Sequence, residues 1–141
     1  MIEKTGDLWT YPAEYRCITT NGIVGNNGLI MGKGIALQAK LKYPNLPKTL
    51  GQYIERWGNR PFILLAEKLI TFPTKKHYKD SSDIWLIKNS AELIIEIVNK
   101  FKIKSVAMSR PGCGNGGLAW DFVKPWIENI FDDRFIVLDN T

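Results

Sequence analysis

Short apolar stretches and longer amphipathic stretches alternate along this chain of 141 residues. The short stretches are rich in β-branched residues, which is typical of strands, whereas the longer ones repeat apolar residues at three- and four-residue steps, the period of a helix. The pattern predicts strands at 16–20, 62–65, 69–72, 105–109 and 135–138. It predicts helices at 34–43, 46–57 and 121–131, and a long helix that runs through Val98.

Proline and serine residues mark where the predicted helices begin and end. Pro44 terminates the first helix, Pro47 suits the first turn of the second, and Ser81 or Ser82 can cap the long third helix. The predicted core face of that helix consists of Ile84, Ile87, Ala91, Ile94, Ile95 and Val98. A buried face is also predicted for the fourth helix, which assigns its tryptophans to the core rather than to stacking on nucleic-acid bases. Its members are Trp120, Phe122, Trp126 and Ile130.

The order of the elements predicts the fold class. Strands that alternate with helices favour an α/β sandwich with a mixed or mostly parallel sheet. Strands 62–65 and 69–72 are separated by three residues and are expected to pair as a hairpin. The chain length suits one domain, 1–141, with a single core. In such sheets, ligands bind where loops leave the carboxyl ends of the strands.

Two glycine-rich segments each follow a predicted strand. The segment 110–120 contains four glycines within six positions, and the segment 21–36 separates the first of the predicted strands from the first helix. Without a Cβ atom, glycine lets successive backbone N–H groups approach one ligand closely. The free N–H groups and the dipole of the helix that begins at Gly34 suit a phosphate. Two such loops predict a phosphate-containing ligand held from two sides.

The composition and the charge indicate which kinds of partner and which cellular location to expect. A formal net charge of +5 and a pI near 9.2 favour an anionic partner such as a nucleotide or nucleic acid. No apolar stretch is long enough to span a membrane, and the amino terminus has no hydrophobic signal region, which predicts a cytoplasmic protein without membrane contact. Cys17 and Cys113 form neither a disulfide framework nor a metal-ligand pair. No metal and no cofactor are therefore expected, and the pattern leaves the oligomeric state open.

Three short motifs carry more specific information. They are Gly6-Asp7-Leu8, Gly32-Lys33-Gly34-Ile35-Ala36, and Gly112-Cys113-Gly114 with Leu118 and Trp120. Together they resemble the macro domain, a family that binds ADP-ribose. The resemblance covers nearly the whole chain and implies a three-layer α/β/α sandwich with a mixed, mostly parallel central sheet. The segment 72–77 is similar to the one that carries the catalytic lysine in terminal ADP-ribose glycohydrolases and in the DNA ADP-ribosyl glycohydrolases of the DarG type.

The resemblance implies roles for individual residues. Asp7 is expected to accept a hydrogen bond from the adenine amino group, Asn21 to hydrogen-bond the distal ribose hydroxyls, and the glycine loops to bind the phosphates. The full set of expected ADP-ribose-binding residues is Asp7, Leu8, Asn21, Met31, Gly32, Lys33, Gly34, Ile35, Thr74, Gly112, Cys113, Gly114, Asn115, Gly116, Gly117 and Leu118.

Lys75 is the residue expected to act in catalysis. Its amine could attack the anomeric carbon of the distal ribose or open the sugar as a Schiff base, provided that desolvation and neighbouring cations leave part of it neutral. In the branch that acts on protein carboxylates, the lysine pairs with an aspartate of the second loop, where this chain has Gly116. Ala119 stands where DarG-like loops often carry another aspartate. DNA-directed relatives also lack the aspartate of the second loop, so its absence shifts the expectation toward a nucleic-acid-linked substrate or toward weak activity. It also leaves the acid/base partner unassigned.

The sequence therefore predicts an ADP-ribose-binding macro domain that hydrolyses an ADP-ribosyl linkage to DNA or protein through Lys75. Three alternatives stay open: an ADP-ribose reader without turnover, a phosphatase acting on ADP-ribose 1″-phosphate, and a nucleic-acid-binding module without catalysis. Individual residues also have simpler interpretations. Lys75 and Lys76 can form a solvated basic turn, and Asp7 can cap a turn. Cys113 lacks an evident histidine partner, because His77 is more often a surface or packing residue.

Overall fold

Eight strands and four α-helices make up the regular structure of residues 1–140, the part of the chain that the computed structural model describes. The strands are β1 (Ile2–Thr5), β2 (Tyr15–Thr20), β3 (Val24–Gly25), β4 (Gly28–Leu29), β5 (Ile63–Leu64), β6 (Leu69–Pro73), β7 (Val106–Ser109) and β8 (Phe135–Asp139). The helices are α1 (Gly34–Lys42), α2 (Leu46–Trp57), α3 (Ile84–Lys100) and α4 (Trp120–Ile127). None of these helices combines the length and the hydropathy required of a membrane span.

Six of the strands form a central sheet in the order β1-β8-β7-β2-β6-β5. All neighbours in this sheet are parallel except β5, which pairs antiparallel with β6. In that pair, Ile63 lies opposite Ile70 and Leu64 opposite Leu69. The predicted hairpin and the mixed, mostly parallel sheet are therefore confirmed. The remaining strands, β3 and β4, form a separate antiparallel ribbon inside the first glycine-rich segment.

Helices cover both faces of the central sheet. All five residues of β6 are buried, as expected for a central strand with a helical layer on each side. Because alternate residues of a strand point to opposite faces, β6 contributes to both cores. Phe72 packs in a cluster with residues of α3 and α4, and Leu69 packs in a cluster with residues of α1 and α2. The structure thus has the three-layer α/β/α architecture that the resemblance implied.

The N-terminal cap of α3 is Asp83, so the expectation that Ser81 or Ser82 caps this helix is wrong. Asp83 Oδ1 accepts hydrogen bonds from the N–H groups of Trp85 and Leu86, at 2.9 and 3.4 Å. A carboxylate here also interacts favourably with the positive end of the helix dipole. The predicted core face is largely confirmed: Ile87, Ala91, Ile94 and Val98 are buried, whereas Ile84 and Ile95 are half-buried.

The buried face of α4 differs from the prediction. Val123 and Ile127 are fully buried, whereas Phe122 is 48% exposed and Trp126 is half-buried. Two apolar rows with the same four-residue spacing run along this segment, and spacing alone cannot choose between them. The smaller aliphatic row fits into the cluster formed with α3 and the sheet. Of the four residues predicted to form the buried face, Trp120, Trp126 and Ile130 are half-buried against this cluster, and the prediction is wrong for Phe122, which is exposed.

Replacing Phe72 with alanine tests this account of the core. Phe72 is fully buried and meets Phe131 edge-on, with ring centroids 6.3 Å apart. We expect Phe72→Ala to lower the free energy of unfolding by about 3–5 kcal/mol, because it leaves a cavity that the surrounding elements cannot fill. Phe122→Ala, at a largely exposed ring, is the control and should cost less than about 1 kcal/mol. Urea denaturation followed by circular dichroism measures both, and equal losses would contradict the assignment of the core face.

Candidate functional site

The segments singled out in the sequence converge at one edge of the sheet. Strands β7, β2 and β6 are adjacent and parallel, so the loops that follow them leave the sheet side by side. The first glycine-rich segment follows β2, and the second follows β7. Lys75 lies just after β6. These three segments form the candidate site.

The first glycine-rich segment ends at the N-terminus of α1. The first hydrogen bond of this helix runs from Leu37 N–H to Lys33 O, at 3.2 Å. Within residues 1–140, no protein acceptor receives the N–H groups of residues 34–36. Together with the positive end of the helix dipole, these free donors suit a phosphate. A Cβ atom at Gly32 would meet no other atom within 4 Å, so the backbone faces open space there.

The second glycine-rich segment contains a 3-10 helix over Gly114–Gly116. Gly112, Gly114 and Gly117 have φ angles of +80°, +66° and +79°, in the left-handed region that favours glycine. Gly112 is closely packed, since a Cβ atom there would lie 2.5 Å from Ile87 Cδ1. A Cβ atom at Gly114 would meet nothing within 4 Å. The second glycine-rich segment is therefore packed against the protein at Gly112 and faces open space at Gly114.

The two loops meet at Gly34 and Asn115. A Cβ atom at Gly34 would lie 2.9 Å from Asn115 Nδ2, and the φ angle of +57° at Gly34 also favours glycine. Lys75 reaches the same place, because its Nζ donates a hydrogen bond of 3.2 Å to the carbonyl oxygen of Asn115, 40 positions away. The structure therefore brings Lys75 and both loops together.

The backbone around Lys75 is held by three neighbouring segments. Thr74 N–H donates to Thr20 O in β2 at 3.0 Å, and Asp83 N–H donates to Thr74 O at 2.8 Å. Asn59, which follows α2, donates from Nδ2 to Lys75 O at 3.2 Å. Because these bonds come from different elements, the position of Lys75 is set by the fold and not by its own loop alone.

Several predicted ligand residues use their side chains within the protein. The buried Asn21 accepts from Ile23 N–H at 2.9 Å through Oδ1 and donates to Ile30 O at 2.8 Å through Nδ2. These bonds close the first loop and leave one amide hydrogen for a ligand. The side chains of Leu8 and Met31 are packed in the core, so the ligand contacts predicted for them fall to backbone atoms.

Asp7 lies in a tight turn after β1, at the same edge of the sheet. Its Oδ1 accepts from Trp9 N–H at 2.8 Å, and its backbone oxygen accepts from the N–H groups of Thr10 and Tyr11 at 3.3 and 2.9 Å. The side chain is exposed, and no donor within residues 1–140 hydrogen-bonds its Oδ2. One carboxylate oxygen therefore supports the turn, and the other is available to a ligand.

Three residues that organise the site were not predicted. Arg16 in β2 donates from Nε to Leu8 O at 2.8 Å and fixes the turn after β1. Asn59 holds the backbone of the lysine segment, and Ser82 N–H donates to Gly116 O at 2.8 Å. A lone charge in a β-branched strand is a signal that could have identified Arg16. The other two carry no such signal, because only folding supplies their partners.

Ser82 also limits what the second loop can carry at position 116. Its side chain is 8% exposed, and Oγ has no hydrogen-bond partner among the residues described. A Cβ atom at Gly116 would overlap this hydroxyl group. Any side chain at position 116 would therefore require the Ser82 hydroxyl group to rotate away, and Ser82 Cβ, 3.3 Å from the added atom, to shift slightly.

Cys113 is not arranged as a nucleophile. Burial raises the pKa of its thiol, an effect that nearby Arg110 partly offsets, so the thiolate form is disfavoured at neutral pH. His77 Nδ1 accepts a hydrogen bond from Lys79 N–H at 3.1 Å rather than activating the thiol. The structure therefore gives no support to thiol catalysis.

Two surface concavities lie away from the loops. One of about 320 Å³ is bordered by α3 and α4, and one of about 250 Å³ lies beside α1 and α2. Their walls are mainly apolar. The glycine loops instead present free N–H donors, and Lys75 contacts the second loop, which is the chemistry that binds a phosphate. We therefore assign the site to the loops.

Comparison with known sequences identifies proteins that this chain resembles. No protein-family model matches the chain. The DNA ADP-ribosyl glycohydrolase of Mycobacterium tuberculosis is 33% identical over 136 residues, which are 90% of this chain and 37% of that protein. The chain spans a little over one third of the length of the curated relatives it matches.

Comparison with solved structures defines the fold. The macrodomain of Mycobacterium tuberculosis DarG matches 98% of this chain and 98% of its own, with a TM-score of 0.83 and 28% identity. Thermosipho africanus DarTG, in complex with ADP-ribose, matches 94% of this chain and 39% of its own, with a TM-score of 0.78 and 25% identity. The chain is therefore a macro domain. Within this class, its sequence and fold are similar to those of DarG macrodomains.

Two alanine substitutions test how the second loop is anchored. Gly114→Ala should lower the free energy of unfolding by about 1 kcal/mol, because only the left-handed backbone opposes it. Gly112→Ala should cost at least about 2 kcal/mol, because the added methyl group also overlaps Ile87. Chemical denaturation compares the two variants directly. If Gly114→Ala lowers the free energy of unfolding as much as Gly112→Ala does, the conclusion that packing at Gly112 anchors the second loop is wrong.

Proposed function

We propose that this macro domain binds ADP-ribose, with the two phosphates between the glycine loops. The free N–H groups at the start of α1 and the open backbone at Gly114 supply donors on two sides of the place where Gly34 approaches Asn115. Lys33, which is exposed, adds a positive charge beside the first loop. The ADP-ribose complex of Thermosipho africanus DarTG, which has a similar fold, supports this assignment.

The order of strands gives the ligand a direction. Asp7 follows β1, and its free carboxylate oxygen can accept a hydrogen bond from the adenine amino group. Lys75 follows β6 on the other side of the loops. With the phosphates between them, the distal ribose is directed toward Lys75 and Asn21. In this proposed orientation, the anomeric carbon, which carries the linkage to any acceptor, lies near the lysine amine.

The domain is further proposed to hydrolyse an ADP-ribosyl linkage through Lys75. The observation that carries this step is the position of Lys75 Nζ, 3.2 Å from the Asn115 carbonyl oxygen at the meeting point of the loops. In the proposed reaction, the amine attacks the anomeric carbon, and the bond from that carbon to the acceptor breaks. Its electron pair leaves with the acceptor, which takes up the proton that the amine loses, directly or through water. Water then releases ADP-ribose from the lysine adduct.

The proposed acceptor is a nucleotide of DNA rather than a protein carboxylate. Position 116 holds glycine, and Ser82 occupies the space beside it, so no carboxylate of this position pairs with Lys75. The curated relatives are named for action on DNA. The net charge of +5 also suits a polyanion.

The absence of a carboxylate at position 116 also favours a second candidate function. A domain without a loop carboxylate can bind ADP-ribose and yet leave the linkage intact. Such a reader would keep the phosphate-binding loops and the contact of Asp7 with adenine. The two candidates therefore differ in the release of product and not in their affinity for free ADP-ribose.

Asp7→Asn separates a ligand role of Asp7 from a purely structural one. Asparagine keeps an oxygen for Trp9 N–H, but its amide group offers hydrogens to the adenine amino group in place of an acceptor. We expect the affinity for ADP-ribose to fall by about 10-fold or more, as for the loss of a hydrogen bond to a charged group. Isothermal titration calorimetry measures this change. An unchanged Kd would mean that Asp7 only supports its turn.

Lys75→Ala and Lys75→Arg test the lysine mechanism. On single-stranded DNA carrying thymidine-linked ADP-ribose, both variants should release ADP-ribose at least about 100-fold more slowly than the native chain. Arginine keeps the positive charge but cannot supply the neutral amine. The affinity for free ADP-ribose should change much less than the rate. Chromatography of the released ADP-ribose provides the measurement.

Lys40→Ala, which removes an exposed lysine of α1, is the control for this experiment and should retain the native rate. An unchanged rate in Lys75→Ala would exclude the lysine mechanism. No release by the native chain, with ADP-ribose still bound, would favour the non-catalytic reader.

A further inference from the structure

The residues that follow Lys75 form an aromatic and basic surface that the proposed reaction does not use. Tyr78 is 40% exposed, and its ring centroid lies 4.5 Å from that of His77, at an interplanar angle of 31°. Lys79 Nζ lies 6.0 Å from the centroid of the Tyr78 ring. An exposed aromatic face beside a lysine can stack on a nucleic-acid base while the lysine contacts a phosphate. Residues 76–79 are called the acceptor segment below.

Hydrogen bonds hold the acceptor segment in place on both sides of Tyr78. Gly22 N–H donates to Lys76 O at 3.2 Å, and Lys79 N–H donates to His77 Nδ1 at 3.1 Å. Asp80 N–H donates to His77 O at 3.1 Å. The aromatic pair is therefore positioned before a ligand arrives, which lowers the entropic cost of binding.

The charge of this surface complements a phosphate backbone. Lys75, Lys76 and Lys79 place three ammonium groups within five positions. The nearest acidic residues along the chain are Asp80 and Asp83, and Asp83 is engaged as the cap of α3. Its Oδ2 lies 3.8 Å from Lys76 Nζ, but the Lys76 side chain is 78% exposed and remains accessible to solvent. The segment therefore keeps an excess of positive charge.

We propose that the acceptor segment binds the single strand of DNA that flanks the ADP-ribosylated nucleotide. Tyr78 stacks on a neighbouring base, and Lys76 and Lys79 contact phosphates. The inference rests on the proposed function, because it assigns the strand to the acceptor side of Lys75. Tyr78 is three residues from Lys75, at most about 10 Å along an extended chain, so a base next to the modified nucleotide is within reach.

The chain contains a matched control surface at the far end of α3. Phe101 is 39% exposed, and Lys100 Nζ lies 5.7 Å from its ring centroid, close to the values for Tyr78 and Lys79. The 17 residues of α3 separate the two surfaces by about 25 Å, at a rise of about 1.5 Å per residue. A general effect of losing an exposed ring or lysine would appear at both surfaces. A specific contact with DNA would appear only at the acceptor segment.

Binding of a fluorescein-labelled oligothymidylate, followed by anisotropy over a series of salt concentrations, tests the surface directly. Tyr78→Ala should weaken binding by about 5-fold to 150-fold, the range for losing one base stack. Phe101→Ala should bind like the native chain. The slope of log affinity against log salt concentration should become shallower by about 0.7 for Lys76→Gln and for Lys79→Gln. Lys100→Gln should leave the slope unchanged.

The kinetics of ADP-ribose release connect the surface to the reaction. With the modified oligonucleotide as substrate, Tyr78→Ala should raise KM more than it lowers kcat. With thymidine-linked ADP-ribose that has no flanking strand, the same variant should change KM much less. Equal effects on the two substrates, or equal effects of Tyr78→Ala and Phe101→Ala, would overturn the inference.

Failure of the proposed function would give a different pattern. If the native chain releases ADP-ribose from neither substrate, the hydrolase assignment fails, but oligothymidylate binding still decides whether the acceptor segment holds DNA. No binding by the native chain, or native-like binding by Tyr78→Ala, overturns the inference in either case. Release from an ADP-ribosylated protein with the same dependence on Tyr78 would assign the surface to a protein acceptor and overturn it as well.

Discussion

The parallel pairing of β7, β2 and β6 is the constraint on which the site depends. Parallel neighbours end at the same edge of a sheet, so three segments that are distant in sequence leave it side by side. The register pairs Thr20 with Pro73, and the hydrogen bond from Thr74 N–H to Thr20 O extends this pairing beyond the strand. The sheet itself therefore places Lys75 next to the glycine loops.

The site also depends on the close approach of backbone and side chains from different segments. Gly34 leaves room for Asn115, and Gly116 leaves room for Ser82. These glycines therefore serve packing as well as access to a ligand. A side chain at position 116 would have to displace the Ser82 hydroxyl group. In the proposed function, the glycine at position 116 leaves Lys75 without an aspartate partner from this position.

Local signals predicted some elements well and others poorly. Helix α2 was predicted at 46–57 and is found at Leu46–Trp57, because a proline in its first turn and a glycine at its end are local signals. The prediction of the α3 cap was wrong because three consecutive residues, 81–83, can all cap a helix. Asp83 takes this role, and Ser82 contacts the second loop instead. The buried face of α4 was predicted only in part, because two apolar rows share one spacing, and only packing against α3 and the sheet makes Val123 and Ile127 its fully buried residues.

The sequence by itself determined the α/β class, the two glycine loops and the lysine segment between them, because hydrophobic period, glycine and proline act over a few residues. The tertiary structure alone decided which of these features meet. Lys75 contacts Asn115 across 40 positions, and Asn59 holds the Lys75 backbone across 16. Such contacts follow from the order of strands in the sheet. That order is set by the packing of the whole chain, and no local pattern records it.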